Sequence, residues 1–319
     1  MNEAAAIQRL IEVCRRQHKS LSTERIYALW LKDYMRFLRT LDGSLARERK
    51  LEAFLSMLAL RRNVAASTQN QAFNAVCFFY KDVLGQPLQA VDALRATRPA
   101  RIRTALSQRD TMRLLDAVPD LGGYPTALLA KMLYGCGLRV SEPLNVRIKD
   151  VRLEEGALFI MGAKGGKDRL VRLPCSLAVG LEQQMAYARA VWERDRLAKI
   201  PVVLPNQLAA KYPAYQFAWP WAWLFPSHHP CRHPRTGAVV RWHCLPCNVQ
   251  RAVRRASDAL GMCVTPHNLR HCYATHCLDR GANIKALAEA MGHAQITTTE
   301  GYCHAEALSV GSPLDTATP

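Results

Sequence analysis

Residues 265–276 read TPHNLRHCYATH, and the reading of this stretch decides what kind of protein the chain makes. His267 and Arg270 stand three apart, so in a helix they share a face and reach the same neighbourhood. Three readings compete for that face. It can grip a phosphate, supply two halves of a metal site, or simply meet solvent.

The surroundings weigh on the choice. Lys and Arg number 43 against 26 Asp and Glu, a net charge of +17. Such an excess favours a polyanionic partner, either nucleic acid or an acidic membrane surface. No apolar run approaches the roughly 20 residues of a spanning helix. The opening MNEAAAIQRLIEVCRRQHKS also lacks the apolar block of a signal peptide, so a cytoplasmic location is expected. The eleven cysteines have no framework spacing and read as reduced thiols, mostly small buried residues.

With 319 residues, two domains are expected at about 150 residues each. Residues 1–88 read as a helical module. LSTERIYALWLKDYMRFLRT places Ile26, Leu29, Trp30, Tyr34 and Phe37 at helical spacing behind a Ser22 or Thr23 cap. RERKLEAFLSMLALRR and STQNQAFNAVCFFYKDVLG repeat the pattern, the second opening on Ser67 or Thr68 and closing on Gly85. Residues 89–104 break the periodicity. Their Arg95, Arg98, Arg101 and Arg103 suit an extended basic linker lying along phosphates.

A larger, α-rich domain is expected over 105–319. SQRDTMRLLDAV reads as a capped helix, and TALLAKMLYGCGLRVSEPLNV as two helical segments broken at Gly135 and Gly137. GALFIMGAKGGKDRLVRLP reads as a β-hairpin joined through glycines. Its AKGGKD is not a Walker phosphate loop, because Met161 stands where the first glycine belongs and Asp168 replaces the Ser/Thr. The remainder is mainly helical, apart from an aromatic- and proline-rich passage over 201–234.

LYGCGLRVSE, GAKGGKDRLVRLP, TPHNLRHCYATH and MGHAQITTTEGYCH, in that order and at these intervals, resemble the tyrosine recombinases. The likeness extends over nearly the whole chain. It implies a mainly α, two-domain protein: a helical, SAM-like core-binding domain followed by an α-rich catalytic domain with a small β-sheet. It also implies a catalytic set of Arg139, Lys164, His267, Arg270, His293 and Tyr302.

The residue types suit such chemistry. A tyrosine hydroxyl can form a covalent link to DNA phosphate, and arginines supply fixed positive charge for its oxygens. Lys164 would protonate the leaving 5′ oxygen, and His293 would orient the phosphate. No metal or other cofactor is implied. His271, His276 and His304 read as structural. Pro143, Met291, Gly301 and Cys303 depart from the family pattern, and Pro143 places a helix start close to Arg139.

The passage NQLAAKYPAYQFAWPWAWLFPSHHPCRHPRTGAVVRWHC resembles the added segment of integron integrases, expected here near 190–226. That likeness implies gene-cassette recombination on folded single-stranded hairpins and on a duplex integration site, by a homotetramer on paired sites. Protruding bases would stack on Trp219, Trp221 or Trp223, with Pro234 and His243 closing a pocket. A W-x-W-x-W run is more often a buried strand, so at least one of the three should be core. The run is expected to be extended. Met161 and Cys244 depart from the subfamily's usual tryptophan and histidine. Cys231, His233, His243, Cys244 and Cys247 have some ingredients of a zinc site. A single C-x₂-C without a second pair, and PCNVQRAVRRA read as a helix start, weigh against one.

Overall fold

The computed structural model describes residues 2–89, 105–162, 168–205 and 208–292. The chain divides into two compact units, Met1–Ile102 and Arg103–Pro319.

The first unit packs α1 (Glu3–Arg16), α2 (Leu21–Leu38), α3 (Arg47–Leu60) and α4 (Ala66–Phe78) around one core. Each helix turns an apolar stripe inward, so Leu10, Leu31, Leu51, Phe54, Leu58 and Val76 are fully buried together. Tyr34 sits among them, its hydroxyl paired with that of Tyr80 at 3.1 Å. The cap of α2 is Ser20, whose Oγ accepts from Thr23 N at 3.1 Å, so Ser22 and Thr23 already lie in the first turn. α4 starts after Ala65 with no side-chain cap, ahead of the expected Ser67 or Thr68. It runs into a π-turn over Phe79–Val83, and Gly85 at φ +68° ends the segment.

The second unit opens on α5 (Gln108–Ala117), capped by Ser107 Oγ accepting from Asp110 N at 3.0 Å. α6 (Thr126–Gly135) follows, then the short α7 (Ser141–Leu144), whose Pro143 sits in the first turn. β1 (Val151–Arg152), β2 (Ala157–Ile160) and β3 (Arg169–Arg172) form an antiparallel sheet in that order, with Leu158 opposite Val171. Gly162 N donates to Asp168 Oδ1 at 2.7 Å and closes the base of the β2–β3 hairpin.

α8 (Ala178–Leu197) leads to α9 (Leu208–Lys211) and then to two 3-10 turns, Pro213–Phe217 and Trp219–Trp221. The expected extended tryptophan strand is therefore corrected: Pro220, inside the second turn, favours a tight turn over a ladder. β4 (Cys231–Arg232) and β5 (Val239–Val240) make a small hairpin. α10 (Pro246–Ala259), α11 (Pro266–Asp279) and α12 (Ile284–Met291) complete the described residues. α6, α10 and α11 share the core through Leu129, Leu133, Val249, Val253, Leu269 and Cys272. Among the described residues no helix is long and apolar enough to cross a membrane.

Candidate active site

α11 begins on Pro266, with Thr265 N donating to Asn268 Oδ1 at 3.0 Å. That start leaves His267 exposed on the first turn and carries Arg270 one turn inward, where it is 2% exposed. Arg270 Nη1 donates to Gly137 O and Nη2 to Met291 O, both at 2.6 Å. Gly137 permits the first bond for two reasons. Its φ is +61°, and a Cβ there would collide with the ring of Tyr273. Burial, and then the positive charge of Arg139, lower the Arg270 pKa to about 10, with Glu142 opposing.

Arg139 stands just before α7, partly exposed. Its Nη1 donates to Glu142 Oε1 and its Nη2 to Gly292 O, both at 2.8 Å. Its backbone N–H donates to Glu142 Oε2, also at 2.8 Å. Arg169, at the start of β3, completes the group. Its Nη2 and Nη1 donate to the two Glu142 oxygens at 2.7 and 3.1 Å, and its Nε donates to Ala290 O at 2.7 Å. Arg270 Nη1 lies 3.7 Å from Glu142 Oε2.

Three guanidiniums thus converge on one carboxylate, an excess of two positive charges in a largely buried place. Burial pushes the Glu142 carboxyl up, but the hydrogen bond and charge of Arg169, with the backbone and side-chain hydrogen bonds of Arg139, hold it below its ordinary value. Three successive carbonyls at the end of α12 (Ala290, Met291 and Gly292) accept from Arg169, Arg270 and Arg139 in turn. Cations at a helix C-terminus also answer its dipole. The excess of positive charge can attract an anion, and forked guanidiniums have the geometry to hold a phosphate.

The structure brings Arg139 and Arg270 together and sets His267 at the mouth of the same helix. Lys164, His293 and Tyr302 lie outside the described residues, as do Arg95, Arg98, Arg101 and Arg103. Glu142 and Arg169 were not among the expected site residues. The i+3 spacing of Glu142 from Arg139 was a visible signal, whereas Arg169 looked like one more strand charge. His276 is structural: Nε2 donates to Leu106 O and Nδ1 pairs with Tyr134 Oη, both at 2.9 Å.

The tryptophans diverge. Trp223 is 6% exposed and forms a small core with Val202 and Leu204. The Arg147 guanidinium lies 3.3 Å from its ring centroid, and Trp223 Nε1 donates to Arg241 O at 3.1 Å. It is a packing residue, not an open platform. Trp219 is half-buried against Trp192, ring centroids 5.6 Å apart. Trp221 is half-buried, stacked on Tyr215 at 5.7 Å and 21°, with Lys149 Nζ 4.7 Å from its centroid. Tyr215 in turn stacks on Tyr212.

Pro234 is exposed in the β4–β5 turn, whereas His243 lines a cavity of about 710 Å³. That cavity is also lined by Arg139, Arg147, Met161, Trp223 and Trp242. Burial chiefly lowers the His243 pKa, helped by Arg147 and opposed by a bond to Cys244 O. Cys231 and Cys247 are exposed and Cys244 is buried. Cys247 stands in the first turn of α10, as the PCNVQRAVRRA reading expected. Among the described residues no three His, Cys, Asp or Glu side chains are grouped to hold a metal ion.

A model of the phage integrase family matches residues 104–308, and one of the phage integrase N-terminal SAM-like domain matches residues 7–90. An integrase/recombinase of Escherichia coli is 36% identical, covering 100% of this chain and 96% of its own length. The tyrosine recombinase XerA of Pyrococcus furiosus is 26% identical over 94% of this chain and 89% of its own. Among solved structures, a lambda integrase dimer bound to a COC′ core site aligns with TM-score 0.60 at 14% identity, covering 94% of this chain and 99% of that one. This last likeness is one of fold. The mainly helical fold, the paired domain matches and the full-length relative agree: the chain belongs to the phage integrase family of tyrosine recombinases, enzymes that cleave and rejoin DNA strands.

Proposed function

We propose that the chain is a recombinase of the integron integrase type, exchanging gene cassettes through a 3′-phosphotyrosyl DNA intermediate. Arg139 and Arg270 hold the non-bridging oxygens of the scissile phosphate. The Tyr302 hydroxyl attacks the phosphorus as its proton passes to solvent, and the 5′ oxygen departs with a proton from Lys164. His267 and His293 hydrogen-bond the phosphate. Reversal of the step by a 5′ hydroxyl from another strand rejoins the DNA. A homotetramer on two paired sites carries out the exchange.

The observation that carries the cassette reading is the cavity of about 710 Å³ beside the arginines. Arg139 lines it together with Trp242 and His243, so a phosphate-binding group and aromatic surface share one space. Its volume falls in the range of about 300–1,000 Å³ typical of ligand pockets, ample for one base turned out of a stem. Stacking on aromatic side chains is how unpaired bases are commonly held. Binding to a folded bottom-strand hairpin, compared with the same stem as perfect duplex, tests this reading. Preference for the hairpin supports it, and equal binding sinks it.

A second reading, recombination on ordinary duplex sites, is favoured by the engagement of Trp221 with Tyr215 and Lys149. A base seated on that ring has to compete with both. The same binding comparison separates the two readings.

A further inference from the structure

We propose that Arg169 is a positioning residue for strand cleavage, aiming Arg139 and Arg270 at the phosphate by tying three separate parts of the site together. It rests on the reading that those two arginines hold the scissile phosphate.

Arg169 is 5% exposed and uses three different atoms on two partners. Its fork grips Glu142, the carboxylate that also binds both the side chain and the backbone N–H of Arg139. Its Nε holds Ala290 O, one residue before the carbonyl that Arg270 uses and two before the one Arg139 uses. Arg169 also directly follows Asp168, which closes the base of the hairpin.

One side chain therefore sets the distance between the Glu142–Arg139 pair, the end of α12 and the β2–β3 hairpin. Gly292 is shaped to it. A Cβ at that residue would stand 3.0 Å from Arg169 Nη1 and 3.3 Å from its Cδ and Cζ. Because the side chain is bidentate on one partner and single on another, lysine cannot reproduce it. Lysine keeps the positive charge but offers one point of attachment, so the three parts lose their common reference while the net charge stays the same.

The test uses the full-length chain and single-turnover formation of the covalent protein–DNA adduct on a nicked substrate at saturating protein. Arg169→Lys should cleave about 10–100-fold more slowly, the scale of loss for a reacting group displaced by around 1 Å. DNA affinity should stay within about twofold, since the charge is kept. The deciding readout is a second substrate whose scissile linkage is a methylphosphonate, with one charged non-bridging oxygen replaced by methyl. A clamp that is misaimed matters less when there is less charge to clamp. The Arg169→Lys loss, relative to wild type on the same substrate, should then shrink at least fivefold.

A loss of equal size on both linkages, or no loss at all, overturns the proposal, because a merely structural role does not distinguish the linkages. Should Arg169→Lys fail to fold, Arg169→Gln, which loses the fork on Glu142 at the same position, takes over the test. It is held to the same linkage-dependent loss, and its absence overturns the proposal. Arg139→Ala is the control. If it too loses equally on both linkages, the phosphate-holding reading fails and the role of Arg169 with it. If it distinguishes them and Arg169→Lys does not, only the Arg169 inference fails.

Discussion

Glu142→Gln removes one negative charge from among three guanidiniums while leaving the side chain's shape. Each Glu142 oxygen accepts from one Arg169 N–H and one Arg139 N–H: Oε1 from Arg169 Nη1 and Arg139 Nη1, Oε2 from Arg169 Nη2 and the Arg139 backbone. Whichever way the glutamine amide turns, its NH₂ meets two donors. Two charge-assisted hydrogen bonds are lost, at about 1.5–3 kcal/mol each. Breaking one partner of a buried ion pair costs about 3–5 kcal/mol, a range that overlaps this sum. At about 2–4 °C per kcal/mol for a unit of some 200 residues, Tm should fall by about 6–20 °C.

The pH dependence has a definite sign. The folded carboxyl is held below its ordinary value, so its contribution is complete above the unfolded value of about 4.3 and is lost as pH falls toward the folded one. Urea melts of wild type and Glu142→Gln, followed by tryptophan fluorescence, measure the gap between them. It should be constant from about pH 5 to pH 7 and narrow between about pH 4.3 and pH 3.5. A gap below about 1 kcal/mol at pH 7 is the size of an exposed pair. That result, or one that stays unchanged down to pH 3.5, would refute the reasoning.

On the proposed mechanism Tyr302→Phe keeps the ring and removes the nucleophilic oxygen, so DNA binding should persist while the denaturant-resistant adduct disappears. An undiminished adduct would remove Tyr302 from its role. With Arg139, Arg270 and Lys164 supplying the positive charge on that mechanism, strand cleavage should continue in excess chelator. Loss of cleavage restored by zinc would contradict this. On the cassette reading Trp221→Ala should weaken hairpin binding by at most about 5–150-fold, the scale of about 1–3 kcal/mol of stacking before competition from Tyr215 and Lys149, and spare the same stem without protruding bases. Equal loss on both substrates, with an unchanged melt, points to duplex recognition instead.

Much of the architecture was legible because helices announce themselves through spacing. The stripes of α2 to α4, the Ser107 cap of α5 and the Pro143 start of α7 are local signals that tertiary context left intact. Caps were less secure. The expected Ser22 or Thr23 cap of α2 was off by two or three residues, because Ser20 is the residue at the non-helical position. The partnership of Arg169 with Glu142 was hidden because it joins residues 27 apart, and its bond to Ala290 O spans 121. The tryptophan run misled because alternation resembles a strand, whereas Pro220 turns it into a 3-10 segment that sends Trp223 inward and leaves Trp221 among tyrosines.

The end of α12 meets the arginines through main-chain oxygens, not side chains. Ala290 and Met291 are buried, so truncating or enlarging them would cost packing, yet exchanging them for helix-forming residues of similar bulk would delete none of these bonds. What the arginines register is the path of the chain itself. A residue inserted or removed in α12 would rotate the whole row of acceptors by about 100°, the angle between successive residues at 3.6 per turn. The segment therefore tolerates spelling changes that keep its bulk and forbids changes of length, a pattern that belongs to a measuring gauge more than to a binding motif.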